Sequence, residues 1–164
     1  MAVHKKKGAT MNVAIVGSRD FNDYEKLCDV VLSVISVVKI KTIISGGARG
    51  ADRCAEKFAR ERELQLRVLL PDKTMANNSR YAKRNQQIVQ HCDFLIAFWD
   101  GKSPGSKMTI DMTISAGKRC YVYCFADDKL IVHNYSKPLS CYVDSTKQTD
   151  IGQFFGTKKR KLDE

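Results

Sequence analysis

Ile43-Ile44-Ser45-Gly46-Gly47-Ala48-Arg49-Gly50-Ala51-Asp52 is the stretch on which the reading of this chain turns. It begins as a short apolar run of strand type, breaks at a glycine turn and opens into a helix. Three glycines in five positions remove side chains where a ligand would approach the backbone. The helix that follows points free N–H groups and the positive end of its dipole at the turn. That arrangement suits a phosphate.

The same strand–turn–helix unit recurs on either side. Residues 11–17 read as a buried parallel strand, and residues 24–38 as a helix with Leu27, Val30, Val31, Val34 and Val38 on one face. Residues 41–45 form the second strand. Residues 50–63 form a helix that buries Ala51, Cys54, Ala55, Phe58 and Ala59. Strand 65–70 ends at Pro71, and a loop over 72–78 leads to helix 79–91 with Tyr81, Arg84, Asn85, Ile88 and Val89. Strand 93–99, a glycine-containing loop over 100–105, helix 106–117 and strand 119–125 complete the alternation. Leu130-Ile131-Val132 and Cys141-Tyr142-Val143 are candidate extra strands. Alternation with short turns demands a parallel sheet with helices on both faces. We therefore expect an α/β three-layer sandwich with five or slightly more strands. The loops 17–20, 46–50 and 100–105 all follow strands, so they should converge at one sheet edge, where such folds bind ligands.

The chain has 164 residues, 43% of them hydrophobic, which suffices for one domain core. We divide it into a basic leader over 1–10, a globular domain over 11–147 and a polar, basic tail over 148–164. No run is long enough to span a bilayer, and the leader lacks the apolar stretch of a secretory signal, so an intracellular protein is expected. The six cysteines are scattered without a C-x-x-C pair, which favours reduced thiols. The three histidines lack metal-ligand spacing, and no metal or other cofactor is expected. Net charge is +10. Lys5, Lys6 and Lys7 carry three of these charges, and Lys158, Lys159, Arg160 and Lys161 less Asp163 and Glu164 carry two, leaving +5 on the body. An anionic ligand or proximity to nucleic acid fits this, as does solubility alone.

The glycine turn Gly46-Gly47-Ala48-Arg49-Gly50 is not a Walker A loop, since no Gly-Lys-Ser/Thr closes it. Gly101-Lys102-Ser103-Pro104-Gly105-Ser106-Lys107 misses that pattern by spacing, and Gly17-Ser18-Arg19 stands where a dinucleotide fingerprint would begin. ATP hydrolysis and NAD-dependent redox chemistry both lose support. Arg19 can reach a phosphate with its planar fork or pair with Asp20 or Asp23. Arg84 and Asn85 serve the same pocket or a solvated helix face. Asp52 caps its helix and fixes the turn, hydrogen-bonds a ribose, or acts as a base. Trp99 stacks on a base or closes the core, and Asp100 ends the fourth strand at the ligand edge.

Val13-Ala14-Ile15-Val16-Gly17-Ser18-Arg19, the turn from Ile44 to Asp52, Arg84-Asn85, and Ala97-Phe98-Trp99-Asp100-Gly101 with Ser103-Pro104-Gly105-Ser106 together resemble the YspA/YpsA-related branch of the SLOG superfamily. That superfamily includes the LOG nucleotide phosphoribohydrolases and the DNA-processing protein A domain. The resemblance covers about residues 11–125. It implies a Rossmann-like fold with a pocket for nucleotides or their derivatives, and relatives that often pair; helix 24–38 is a surface for that or part of the core. Two departures stand out. Asn77-Asn78-Ser79-Arg80-Tyr81 lacks the tryptophan and glycine expected there. The LOG glycine motif ends in a glutamate, whereas the nearest acid here is Asp52, shorter and differently placed.

In the tail, Gln148-Thr149-Asp150-Ile151-Gly152-Gln153-Phe154-Phe155 places Ile151, Phe154 and Phe155 on one side of a helical turn. These three groups dock on the domain itself or anchor in another protein's groove. The octapeptide resembles the PIP box, which binds the sliding clamp called proliferating cell nuclear antigen. In that resemblance the three apolar groups fill a pocket and Gln148 hydrogen-bonds beside it. Lys158-Lys159-Arg160-Lys161 resembles a nuclear import signal. The two point to a eukaryotic nucleus, or to a virus replicating in a eukaryotic host. The leading expectation is a nucleotide-binding domain tethered to the clamp. The alternatives are a nucleoside-monophosphate N-glycosidase, with Asp52 or Asp100 assisting water, and a DNA-binding module.

Overall fold

The computed structural model describes residues 8–135. Cys141-Tyr142-Val143 and the tail from Gln148 onward lie outside the described residues. In chain order the elements are β1 (Met11–Gly17), α1 (Tyr24–Val34), β2 (Ile40–Ser45), α2 (Ala51–Glu61), β3 (Gln65–Val68), α3 (Asn77–His91), β4 (Phe94–Trp99), α4 (Pro104–Ser115), β5 (Arg119–Cys124) and β6 (Lys129–His133). A 3-10 turn over Val37–Lys39 joins α1 to β2.

The six strands form one sheet in the order β3-β2-β1-β4-β5-β6. All pairs are parallel except β5 with β6, which run antiparallel. This is a Rossmann-like three-layer sandwich, with the chain order reversing between β1 and β4. Strand residues alternate between two cores. Val13 and Ile15 join Leu27, Val30, Val31, Phe58, Phe94 and Phe98 in the cluster beneath α1 and α2. Ala14 and Val16 join Ile88, Leu95, Ala97 and Ile110 in the cluster beneath α3 and α4. Burial on both faces explains why β1 and β4 are apolar at successive positions instead of alternating with polar ones. No helix among the described residues is long and apolar enough to cross a membrane.

Several boundaries differ from the sequence reading, each for a local reason. The helix expected over 24–38 ends at Val34, where Ile35 turns extended at φ −148° and ψ 141°. Ile35 then enters the core while Val38 is 81% exposed, so Val38 does not share the buried face. Four β-branched residues from Val34 to Val38, interrupted by Ser36, favour this exit from the helix. Val30, Val31 and Val34 are core residues, which leaves Leu32 and Val38 as the exposed apolar groups of this segment. Helix α3 begins at Asn77, two residues earlier than expected. Helix α4 begins at Pro104, whose fixed φ and missing N–H suit the first helical position. Leu130-Ile131-Val132 lies within β6, the sixth strand.

The five cysteines among the described residues are free, with Cys92 and Cys120 buried. The loops after β1 and β2 are locked together at Gly50. Its φ of +83° is left-handed, and a Cβ there would run into the Ser18 and Arg19 carbonyls. The Ala51 N–H donates to the Ser18 carbonyl at 3.3 Å across the same contact.

Candidate functional site

Where β1 and β4 diverge, the chain leaves a cavity of about 590 Å³ at the carboxyl end of the sheet. Its volume lies in the range of small-ligand sites, and its position is the switch point of an open α/β sheet. All three loops contribute. Gly17, Arg19 and Asp20 come from the first, Ala48, Arg49 and Asp52 from the second, and Ser103, Pro104, Gly105 and Ser106 from the third. Helix α3 adds Asn78, Tyr81, Arg84, Asn85 and Ile88, and α4 adds Met108 and Thr109.

The glycine turn differs from its expected role in one respect. Two of its N–H groups, those of Gly47 and Ala48, are engaged by the chain. Gly47 N–H donates to Ser45 Oγ at 3.1 Å and Ala48 N–H to Asp52 Oδ2 at 3.1 Å. Asp52 is not the helix cap, since Gly50 holds that position without a side-chain hydrogen bond. Asp52 instead fixes the turn from inside the first helical turn. Ser45 anchors the other side, its hydroxyl lying 3.3 Å from both the Asp52 carbonyl and Glu56 Oε1.

Gly46 sits behind this turn for a steric reason. A Cβ at this position would collide with the Arg84 guanidinium and with Asp52 Oδ2. The Arg84 Nη1 group donates to the Gly46 carbonyl, and its Nε donates to Asn85 Oδ1 at 2.9 Å. Arg84 and Asp52 therefore approach one another across a residue with no side chain. Burial pushes the Asp52 carboxyl up to about 6, against the pull of the Ala48 N–H and of Arg84. Burial also lowers Arg84 from the ordinary guanidinium value, although the Asp52 charge opposes that shift.

Further donors lie at the start of α4. Its N-cap, Ser103, makes no side-chain hydrogen bond, and the first intrahelical bond runs from Lys107 N–H to the Ser103 carbonyl. Gly105 and Ser106 thus present N–H groups at the helix start. The space around Gly105 is open to beyond 4 Å from where a Cβ would stand. Ser106 is 8% exposed and lines the cavity. Arg19, Arg49 and Arg84 outnumber Asp20 and Asp52 on the wall.

Six of the residues singled out from sequence do not line the cavity: Ser18, Gly46, Gly47, Gly50, Trp99 and Asp100. Ser18 is buried, and its Oγ accepts from Asp100 N–H at 3.1 Å. Trp99 packs against the α3/α4 core, and its Nε1 donates to the Ser103 carbonyl at 3.1 Å. Asp100 accepts from Lys102 N–H at 2.8 Å, Ser103 N–H at 2.7 Å and Ser103 Oγ at 2.7 Å. Desolvation raises this carboxyl, but those bonds outweigh it and hold it down to about 2. It is a loop-shaping group and too weak a base to take a proton near neutrality. Tyr81, Ile88, Met108 and Thr109 were not assigned to the site from sequence. For Tyr81 and Ile88 the signal was their spacing with Arg84 and Asn85 along one face of α3; Met108 and Thr109 on α4 carried none. Among the described residues no group of three or more His, Cys, Asp or Glu side chains is placed to hold a metal ion.

Residues 11–74 match a family model described as YAcAr: YspA, cpYpsA-related SLOG family. No curated protein matches the chain. Among solved structures, DNA processing protein A (DprA) from Streptococcus pneumoniae is similar with a TM-score of 0.58 and 17% identity. The match covers 69% of this chain and 50% of that one, so this chain spans about half the length of DprA. TM1055 is similar with a TM-score of 0.50 and 19% identity, over 66% of this chain and 71% of that one. At such identities the likeness is one of fold.

The Asp52 environment makes stability depend on pH. Its folded value of about 6 lies above the unfolded carboxylate value of about 3.9, so its contribution is fully present below pH 4 and lost as pH rises through 6. The loss amounts to on the order of 2–3 kcal/mol. Urea denaturation at pH 4 and pH 7 should show Asp52→Asn gaining on the wild type by roughly that amount as pH rises. An unchanged difference between the two pH values counts against a buried, proton-binding Asp52.

Proposed function

We propose that this chain is a SLOG-type domain that binds a nucleotide or nucleotide derivative in the switch-point cavity. In this reading the phosphate sits on the Gly105 and Ser106 N–H groups at the start of α4, facing Arg19, Arg49 and Arg84. The observation that carries it is the pairing of an uncapped 12-residue helix with a nearly buried Ser106 at its third position and an arginine-rich wall. Helix N–H groups and guanidinium forks both match phosphate oxygens. The YspA-related match over the first half of the domain supports the same ligand class. DprA, a DNA-processing protein, supports a relation to nucleic-acid metabolism through its fold.

The direct test is thermal denaturation of the full chain with adenosine and with adenosine 5′-monophosphate. The monophosphate should raise Tm and the nucleoside should do so less, and the gap should narrow in an Arg19→Ala, Arg49→Ala double variant. Equal shifts for the two ligands remove the phosphate assignment.

A second reading is favoured by one observation, the Asp52 carboxyl raised to about 6 on the cavity wall. Such a group is ionised at neutral pH yet basic enough to accept a proton. It would take a proton from water as the water oxygen bonds to C1′. The C1′–N bond breaks with its electron pair going to the base, which takes up a proton from solvent, and Asp52 then returns its own proton to solvent. Asp100, held at about 2 and off the wall, does not fit this role. Chromatography of the same incubations should detect free base from nucleoside monophosphates. The release should fall at least about a hundredfold in Asp52→Asn, in line with the loss of a general base. Release that persists in that variant rules this assignment out.

The tail supplies the location. Gln148, Ile151, Phe154 and Phe155 match every defining position of the PIP-box resemblance, and Lys158 to Lys161 follow as an import-like run. On this reading the domain senses or processes a nucleotide beside the sliding clamp where DNA is replicated or repaired. Calorimetry with a peptide of residues 148–164 and proliferating cell nuclear antigen should show binding. Phe154→Ala with Phe155→Ala should weaken it by tenfold or more, since buried aromatic anchors dominate such contacts. A peptide that gives no heat, or an unchanged affinity in the double variant, would falsify the tether.

A further inference from the structure

Phosphate binding at α4 leaves one wall of the cavity without a role, the row Tyr81, Asn85 and Met108. Tyr81 and Asn85 stand four residues apart on α3, so they share a face. Met108 on α4 closes the row, its Sδ 3.9 Å from Asn85 Nδ2. Tyr81 and Met108 are each 40% exposed, whereas Asn85 between them is 4% exposed.

The Asn85 amide is oriented by its neighbour. Arg84 Nε–H donates to Asn85 Oδ1, which turns Nδ2 toward Met108. A thioether is a weak acceptor, so a buried amide donor is left with little compensation for leaving water. A ligand atom with a lone pair would supply it. Beside that donor lie an aromatic face and a polarisable sulfur, both of which favour contact with a flat ring.

Resting on the nucleotide reading above, we propose that Tyr81, Asn85 and Met108 form the base subsite of the cavity, with the ligand's aromatic ring against Tyr81 and Met108 and Asn85 Nδ2 donating to a ring nitrogen or carbonyl oxygen. This assigns stacking to Tyr81 in place of Trp99, whose indole N–H is engaged by the Ser103 carbonyl. The subsite selects heteroaromatic rings that carry an acceptor on the edge facing Asn85.

Calorimetry of the full chain with adenosine 5′-monophosphate, uridine 5′-monophosphate and ribose 5-phosphate separates this proposal from the reading it rests on. At least one nucleotide should bind about tenfold or more tighter than ribose 5-phosphate, the range expected for one stacked base. Tyr81→Ala should abolish that advantage and leave ribose 5-phosphate affinity unchanged, whereas Tyr81→Phe, which keeps the ring, should preserve it. The exposed position of Tyr81 keeps both variants folded, which their melting temperatures check. An advantage that survives Tyr81→Ala overturns the subsite and leaves the nucleotide reading in place. Nucleotides that bind no tighter than ribose 5-phosphate also overturn it while sparing the phosphate assignment. If none of the three probes binds, both proposals fall.

Discussion

Arg84 and Asp52 meet across Gly46, and the geometry of the cavity depends on that meeting. A guanidinium from α3 and a carboxylate from α2 can approach there because the intervening residue has no Cβ. Arg84 ties α3 to the backbone of the β2–α2 turn, while Asp52 holds the turn itself through Ala48. Two helices on opposite faces of the sheet are thereby fixed to one loop. Neither charge is comfortable: each is partly stripped of water and each is shifted by burial. A partly desolvated charge is tolerable only beside a partner, so loss of either group leaves the other exposed to that cost.

The sheet places this arrangement where it can act. With β1 and β4 adjacent and the chain running outward on either side, the loops after β1 and β4 part and leave a crevice. The loop after β2 fills its back, locked by Gly50 against the Ser18 and Arg19 carbonyls. The loop after β4 forms the front, braced by Asp100, whose two carboxylate oxygens bind Lys102 and Ser103. That bracing sets the direction of α4. It also explains why Asp100, prominent in sequence at a strand end, is structural.

Much of this was legible in the sequence because it follows from burial alone. The doubly apolar strands Met11–Gly17 and Phe94–Trp99, the small-residue face of Ala51–Glu61 and the three post-strand loops announce a parallel sheet with a site at one edge. Burial alone does not decide between competing apolar residues. Ile35 and Val38 are similar in hydropathy, and only the extended turn at Ile35 sends one inward and the other to solvent. The same limit hid Tyr81 and favoured Trp99. Spacing shows that Tyr81, Asn85 and Ile88 share a face of α3 but not that this face meets the end of the sheet. The internal hydrogen bonds of the glycine turn were equally hidden, since they depend on Ser45 and Asp52 side chains that converge only after packing.

Those internal bonds bear on where the proposed phosphate would sit. A phosphate placed at the glycine turn would face the Asp52 carboxylate and find the Gly47 and Ala48 N–H groups already engaged. At α4 the balance is reversed. Ser103, Pro104, Gly105, Ser106, Met108 and Thr109 bring no carboxylate to the wall, and the helix start offers free donors. Coulomb repulsion on one side and unsatisfied N–H groups on the other give the cavity a polarity. On the nucleotide reading, a ligand with one anionic end is oriented by it, anion toward the start of α4 and the arginines, neutral part toward Tyr81, Asn85 and Met108. On the second reading proposed above, the Asp52 carboxylate then faces the uncharged half of the ligand, where charge repulsion does not oppose its ionisation. Gly46 keeps its importance as the gap through which Arg84 reaches the turn. On the nucleotide reading proposed above, the anion is held by the helix on the opposite side of the crevice.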